Sequence, residues 1–490
     1  MNKLPRSALQ IITNIKEENG NSPDLIVKKL NINIKDSIYL VSYQSLSDAY
    51  KINDLILRFI ITNVVPKTKL LFKNLLTIIN KNIPNRNVKI INNYEELSYY
   101  LFSGFSIILF NNYQKAIAYE TQAKLDRGIA EATSEPVIQG PKDAFNENYD
   151  INIGLIRKRI KSNKLWLEEH IVGWETKTKV GILYMKDIAE EELVNSVRQK
   201  ITQIEIDGIF DAGFLCQLIE QEYKSAFPTT YRTERADLTS MLLLEGRVII
   251  MVDNSPLAII IPVFLVDFLH TADCYYQKAL HNIFMRFTRL IAFFIGLLAP
   301  AFYIALIVYN QEIIPEVLLT SIIGQRELIP FPAFAEAIIL LLAFDIMREG
   351  DLKSPSISNN SISILGAVIL GQAAVTAGLV SPIMVIIVAL TSLSALVFQS
   401  IHLINAIRIW RYLFLIFATL FGMFGFTFCG LLFCVHLSSI KSFGKPYLYP
   451  FAPFSFDGIK DSVFRIKLAS TKKRPDILAG KNIVKQGVNK

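Results

Sequence analysis

The apolar positions of the chain fall into two unlike patterns. Up to about Arg247, short apolar runs alternate with stretches rich in Lys, Asn and Glu, whereas long apolar runs dominate beyond Arg286. Between Ser354 and Ile407 no Asp, Glu, Lys or Arg occurs. Because about 20 apolar residues cross the hydrocarbon core of a bilayer, this run is long enough for two membrane spans. The pattern predicts a polar N-terminal region followed by a helical, polytopic membrane domain.

The predicted membrane domain covers residues 286–440, and a basic tail, residues 441–490, follows it. Its spans are predicted near 290–309, 328–346, 362–380, 383–401 and 412–437. Two topologies stay open: four full spans with a re-entrant segment at 328–346, or five full spans. The tail carries more Lys and Arg than the flank at Arg408 and Arg411, which favours a cytosolic tail.

Strand and helix periods alternate in the polar N-terminal region. SIYLVSY has the composition of a strand, and YEELSYYLFSG has the spacing of a helix. The pattern predicts a flexible leader over 1–22, an α/β subdomain over 23–125, a connector over 126–142 and a second α/β subdomain over 143–285. Since the first residues lack the apolar core of a signal peptide, both subdomains are predicted to be cytosolic.

The segment GRVIIMVDNSPLAIIIPVF is apolar over the length of a membrane span, but a polar turn divides it. The turn is Asp253-Asn254-Ser255-Pro256. Unsatisfied turn backbone is unfavourable in lipid, so the segment is predicted to form a buried β-hairpin rather than a span.

Small residues mark the candidate helix over 362–380. The residues predicted to allow close helix packing are Gly366, Gly371, Ala374 and Gly378. One helical face combines apolar residues with polar side chains that can face water, and it is the candidate pore lining or gate: Leu365, Val368, Gln372, Thr376 and Leu379. The alternative is that the whole stripe serves ordinary packing. Three prolines are predicted helix breaks: Pro330, Pro332 and Pro382.

Glu336 is the candidate ionisable residue inside the membrane. It stands in an otherwise uncharged run, where a carboxylate is expected to face protein or water. A position on an ion path and a pairing within the helix bundle or at the interface both stay open. Asp345, Arg348 and Glu349 are predicted to form the solvated end of the same helix.

A basic cluster in the N-terminal region is predicted to lie on a solvated helix face, with a contact to another subunit as the alternative. Its residues are Arg157, Lys158 and Arg159.

Composition and motifs argue against several function classes. The net charge of +8 is spread along the chain, which indicates contact with a membrane surface rather than with nucleic acid. The four cysteines form no CxxC pair, and the five histidines lack metal-ligand spacing. No Walker loop, GxSxG or HExxH motif occurs. The sequence predicts no enzyme activity, metal or cofactor.

An ordered series of sequence blocks resembles the A subunits of the GerA-type spore germinant receptors. The blocks are EP…GP…F, LIRKRI, IDGIFDAG, FPTTYRTER, LLEGRVIIMVDNSP, PFPAFAEA, IMREG, GQAAVTAGLVSPIMVIIVAL and SFGKPYLYPFAPF. The chain departs from the family pattern at Ala236, where the family has proline, and in the Ser/Asn-rich linker DLKSPSISNNS. The resemblance runs from about Glu135 to Pro475.

The resemblance implies a nutrient receptor subunit in the inner membrane of bacterial spores. Its implied partners are a transporter-like, nutrient-sensing B subunit, a lipoprotein C subunit and further copies of the chain, with a pentameric ring as the proposed arrangement. Nutrient binding would then open an ion path that starts germination. A non-conducting membrane scaffold that couples the receptor to another effector is the alternative function.

Overall fold

Two five-stranded antiparallel sheets precede the long apolar helices. The computed structural model describes residues 4–31, 37–53, 88–123, 135, 137, 139–220, 225–271, 276–327, 329–353, 369–462, 473–480, 482 and 484–485. Most of the predicted connector, and the candidate residues Leu365, Gly366 and Val368, lie outside these ranges. The order of sheets and then helices confirms the predicted fold class.

The first sheet has the strand order β1-β2-β4-β5-β3. Its strands are β1 Leu25–Asn31, β2 Ser37–Tyr43, β3 Val88–Ile91, β4 Phe105–Phe110 and β5 Ala116–Glu120. Two helices belong to this unit, α1 Ala8–Glu18 and α2 Tyr94–Phe102. The prediction of a flexible leader over 1–22 was wrong for α1. Its apolar residues recur at helical spacing, which lets Ala8, Ile11 and Ile15 bury in the core of the sheet.

The second sheet has the order β6-β7-β9-β10-β8. Its strands are β6 Leu165–Val172, β7 Thr178–Met185, β8 Tyr231–Thr233, β9 Val248–Val252 and β10 Ala258–Ile261. Its helices are α3 Tyr149–Arg159, α4 Glu191–Thr202, α5 Ala212–Ile219, α6 Ala236–Leu243 and α7 Leu265–Leu269. The buried strands β9 and β10 pair antiparallel across a turn in which Asn254 has φ +64°, so the hairpin prediction is confirmed.

The helical region begins with α8 Ala279–Tyr309, which continues past the predicted boundary at 285/286 as a single helix. Further helices are α9 Glu316–Arg326, α10 Ala333–Lys353, α11 over 369–376, α12 Pro382–Ala395 and α13 Ile401–Ser439. By length and hydropathy, Leu280–Tyr309 and Ile401–Ser439 could cross a membrane, and α12 is a shorter apolar helix. These helices, with their many exposed Leu, Ile and Phe side chains, make this the membrane-associated part of the chain.

The segment α13 is a helical hairpin that turns at Gly422. This glycine has φ +60° and ψ −139°, outside the helical region. The rings of Trp410 and Phe433 lie 5.0 Å apart and those of Phe417 and Phe428 6.0 Å apart. In one continuous helix, at about 1.5 Å per residue, Trp410 and Phe433 would be on the order of 35 Å apart. The residues before Gly422 (the first arm) and those after it (the second arm) therefore run antiparallel.

The hairpin corrects the prediction of one last span over 412–437. That prediction rested on unbroken apolarity, and Gly422 interrupts the helix without interrupting the apolar run. A helix needs about 20 residues to cross a bilayer core, and each arm is close to that length. Arg408 and Arg411, predicted to flank a span, lie within the first arm.

We expect Gly422→Ala to lower the free energy of unfolding by about 1–3 kcal/mol, because a side chain there strains the backbone. A Cβ at this position would also lie 2.7 Å from Cβ and Cγ of Tyr309. The measurement is SDS-induced unfolding of the purified chain in detergent micelles, followed by circular dichroism. Gly430→Ala is the matched control, since its nearest neighbour would be Cε1 of Phe414 at 3.9 Å. Equal stability of the two variants would contradict the hairpin.

After the second arm, the tail returns to the α/β units. Strands β11 Lys441–Ser442 and β12 Lys445–Pro446 form a small hairpin, and helix α14 Phe456–Ser462 follows. Ser442 Oγ accepts a hydrogen bond from Val263 N at 3.0 Å and donates one to Thr229 O at 2.7 Å. Further along, Gly480 N donates to Ile188 O at 2.8 Å. The described part of the tail thus lies on the same side of the helices as the two sheets.

Candidate functional site in the helical region

A helix break inside the apolar bundle forms the frame of the candidate site. Helix α11 ends before Ala377, and Gly378 has φ +66°, a backbone conformation that favours glycine. Helix α12 begins at Pro382, whose ring suits the first helical position. Ser381 caps α12 with its hydroxyl, which accepts from Met384 N at 3.3 Å. The predicted break at Pro382 coincides with this start; Pro330 and Pro332 lie between α9 and α10.

Glu336 reaches this break from the first turn of α10. Its side chain is fully buried, and its Oε2 accepts hydrogen bonds from Ser381 N at 2.8 Å and from Ser381 Oγ at 2.9 Å. A carboxylate in this position supplies an acceptor to the free N–H at the start of α12 and is favoured by the positive end of the helix dipole. Glu336 therefore acts as a second cap on α12.

Arg326, at the end of α9, is the charge partner of Glu336. Its Nη2 lies 3.4 Å from Glu336 Oε1, and its side chain is 22 % exposed. A buried carboxylate needs an opposite charge and hydrogen bonds nearby, and Glu336 receives both. The pair links the ends of α9 and α10 to the start of α12. Glu336 is thus paired within the bundle, and its position on an ion path stays a prediction.

The buried hydrophobic residues around the pair come from five helices, α8, α9, α10, α12 and α13. They form one buried cluster, which includes Tyr303 and Ile304 of α8, Ala337 and Leu340 of α10, and Met384 of α12. Close packing of this kind leaves little freedom for one of the helices to move alone. A displacement of α9 or α10 would act directly on the break between α11 and α12.

A second polar cluster ties α10 to the first arm of α13. Asp345 Oδ1 lies 3.2 Å from Arg408 Nε, and Tyr412 donates a hydrogen bond to Asp345 Oδ2 at 3.0 Å. Arg411 is buried and donates from Nε to Gly296 O at 2.6 Å. The prediction of a solvated helix end was therefore wrong for Asp345. Its partners come from a segment more than 60 residues later, which local sequence cannot indicate.

The predicted pore face and packing face separate on α11. Gly371 lies against α12, where a Cβ would be 3.2 Å from Val385 Cγ1, and Ala374 packs against the buried cluster. Gln372, Thr376 and Leu379 are exposed, and Thr376 Oγ1 donates to the backbone carbonyl of Gln372. Gly371 and Ala374 thus pack inward as predicted packing residues, whereas the three described residues of the predicted pore face are exposed. Their assignment to a pore stays a prediction.

Two residues of the site were missing from the sequence-based set. Arg326 lies shortly before the Pro330-Phe331-Pro332 step, and nothing in its spacing connects it with Glu336. Ser381 could have been found, because a Ser-Pro step before an apolar run is a helix-start signal. Within the described residues, no group of His, Cys, Asp and Glu side chains could hold a metal ion.

Comparison with known proteins places the whole chain among spore germination proteins. A family model described as "Bacillus/Clostridium GerA spore germination protein" matches residues 13–477. "Spore germination protein KA" of Bacillus subtilis (strain 168) is 36% identical over 97% of this chain and 87% of its own length. "Spore germination protein GerQA" of Bacillus cereus is 30% identical over 96% of this chain and 93% of its own length.

A solved structure covers the N-terminal part of the chain. It is the N-terminal domain of the A subunit of the Bacillus megaterium spore germinant receptor GerK3, 30% identical, covering 53% of this chain and 96% of that one with a TM-score of 0.42. The family match spans nearly all of the present sequence, including the helices that carry Glu336 and Ser381. The chain belongs to the Bacillus/Clostridium GerA family of spore germination proteins.

Proposed function

We propose that the chain is the A-type subunit of a nutrient germinant receptor in the spore inner membrane, with its α/β units on the cytosolic side. Copies of the chain, in a ring that the family resemblance suggests is pentameric, would form an ion channel opened by nutrient. B-type and C-type receptor subunits are the proposed partners, and the chain itself would catalyse no reaction. Membership in the GerA family supports the receptor role.

The exposed face of α11 is the observation that carries the channel proposal. Gln372, Ala373 and Thr376 are exposed on this helix, and Ala377 is exposed directly after it, while Gly371 and Ala374 pack inward. The side-chain amide of Gln372 would be unfavourable facing hydrocarbon, so this face needs water or another protein surface. A ring of copies that turns the α11 faces toward its axis would meet that need and create a polar path.

The Arg326–Glu336–Ser381 contacts suggest how such a path could be gated. They hold the start of α12, and the break that follows α11, against α9 and α10. A rearrangement on nutrient binding that shifts α9 or α10 would move the break, and with it the exposed face. Gating would then be a switch between two packings of these helices.

Conductance of the purified receptor complex in a planar bilayer tests the proposal. Thr376→Cys, made with Cys434→Ser, should give a nutrient-dependent current that a water-soluble methanethiosulfonate reagent blocks. The probe for opening is a mixture of amino acids, sugars and nucleosides. Ile386→Cys is the matched control, because Ile386 is exposed but lies on the apolar surface of α12. Its current should persist after the reagent is added.

The scaffold alternative predicts that nutrient produces no current through the complex. A complex that contains all its subunits, binds nutrient and shows no nutrient-dependent current would exclude the channel and favour a coupling scaffold. A current that the reagent leaves unchanged in Thr376→Cys would retain a channel but remove α11 from its lining.

A further inference from the structure

A loop just after the last membrane helix exposes three aromatic side chains. Phe451, Phe454 and Phe456 are 41%, 73% and 64% exposed. Contiguous exposed aromatic residues of this size usually mark a binding surface. We call residues 447–456 the aromatic loop.

A hydrogen bond places the start of the aromatic loop at the C-terminal end of α13. The small hairpin of β11 and β12 leaves the helix end and returns to it, so that Tyr447 N donates to Ile440 O at 3.1 Å. Leu448 packs against the same hydrophobic core as Phe433 of the second arm. The loop therefore begins beside the point where the chain leaves the helix bundle.

The depth of this point can be read from the neighbouring helix α8. The ring pairs Phe293–Phe433 and Phe302–Phe426 show that α8 and the second arm run antiparallel. Ser439 follows Phe433 by the same number of residues as Phe287 precedes Phe293. Ser439 and Phe287 therefore lie at the same level along the two helices. At this level α8 is still apolar on its outer side, since Phe284 and Phe287 are exposed. The lipid-facing surface of the helices thus extends down to the aromatic loop.

The loop is held in one conformation by its own backbone. Phe451 N donates to Leu448 O at 2.8 Å, and Ser455 N donates to Pro450 O at 3.0 Å. The ring of Tyr449 packs on that of Phe264 at a centroid distance of 5.2 Å. A pre-ordered loop loses little conformational entropy when its exposed side chains enter an apolar environment.

The chemistry of the loop fits the boundary between headgroups and acyl chains. Lys460 Nζ lies 4.3 Å from the ring centroid of Phe456, so a cation stands directly beside the aromatic surface. Aromatic rings combined with lysine are typical of segments that lie in the membrane interface. We propose that Phe451, Phe454 and Phe456 insert into the lipid leaflet on the side of the α/β units. They would anchor the tail, and the second α/β unit that it contacts, to the membrane surface.

Fluorescence quenching of a tryptophan placed in the loop tests this proposal. The full chain carrying Phe454→Trp is reconstituted into phosphatidylcholine/phosphatidylglycerol vesicles, and the emission of the parent chain is subtracted. We expect loss of the added emission when the acyl chains are brominated near the headgroup, and little loss with aqueous iodide. Phe210→Trp is the matched control: Phe210 is an exposed aromatic residue of the second α/β unit. Its added emission should be quenched by iodide and not by bromine.

Two other results would overturn the proposal. Quenching of Phe454→Trp by iodide alone would place the loop in water. Protection from both quenchers would place it against protein, either a second copy of the chain or another subunit. These outcomes concern the membrane contact of the tail only, and they are independent of whether the receptor conducts ions.

Discussion

Glu336→Leu is expected to lower the free energy of unfolding by about 3–5 kcal/mol, the usual effect of removing one partner of a buried ion pair. Leucine would leave Arg326 without its carboxylate and Ser381 N without an acceptor at the start of α12. The measurement is SDS-induced unfolding of the purified chain in detergent micelles. Glu327→Leu is the matched control, since Glu327 is exposed at the same end of α9.

A double variant separates the charge pair from simple packing. In Glu336→Leu combined with Arg326→Leu, neither charge is left unpaired, so much of the lost stability should return. Destabilisation that adds up from the two single variants would show that Arg326 and Glu336 do not interact. Equal unfolding of Glu336→Leu and Glu327→Leu would contradict the buried position of Glu336.

Arg157→Met is expected to have a similarly large effect in the α/β region, again about 3–5 kcal/mol. Arg157 is fully buried on α3, and its Nε and Nη2 donate to the two carboxylate oxygens of Asp24 at 2.8 and 3.0 Å. Its Cζ also lies 4.5 Å from the ring centroid of Tyr43. Since Asp24 and Tyr43 belong to the first unit, the variant leaves a buried carboxylate between the two units without its opposite charge.

The pKa of Arg157 fits this role. Burial lowers the pKa of the guanidinium, but the nearby charge of Asp24 and its hydrogen bonds raise it more, so the group stays charged. Lys158→Met is the matched control, because Lys158 is the next residue on α3 and is exposed. Urea unfolding of the detergent-solubilised chain, followed by tyrosine and tryptophan fluorescence, should show a lower midpoint for Arg157→Met alone. Identical midpoints would argue against the bridge between the units.

Arg157 also marks where sequence reasoning was wrong. In LIRKRI the three basic residues look equivalent, and a solvated face was predicted for all of them. Arg159 pairs with Asp143 and is partly exposed, whereas Arg157 is buried. The difference comes from Asp24, which precedes Arg157 by more than 130 residues. A local pattern gives the helix and its period, but it does not give a charge partner from another unit.

Local sequence signals correctly predicted features that depend on neighbouring residues in the chain. The turn at Asp253-Asn254 predicted the β9–β10 hairpin, and the break predicted at Pro382 coincides with the start of α12. Gly422 was missed because its neighbours keep the apolarity of a single span, and only its positive φ reveals the turn. For Glu336, isolation in an apolar run indicated a buried carboxylate, but its partners Arg326 and Ser381 required the packing of three helices.

The return of the tail has a consequence for the order of events during synthesis. Phe443 is part of the hydrophobic core of the second α/β unit, together with residues of β7 and β9. Leu478 is buried against Phe264 and Tyr449. A ribosome releases these residues only after all the apolar helices have emerged, so the second unit lacks part of its core until then. N-terminal domains usually fold first and alone. Here the unit reaches its final packing only once the helices that follow it have been made, which links the completion of the α/β region to the insertion of the bundle.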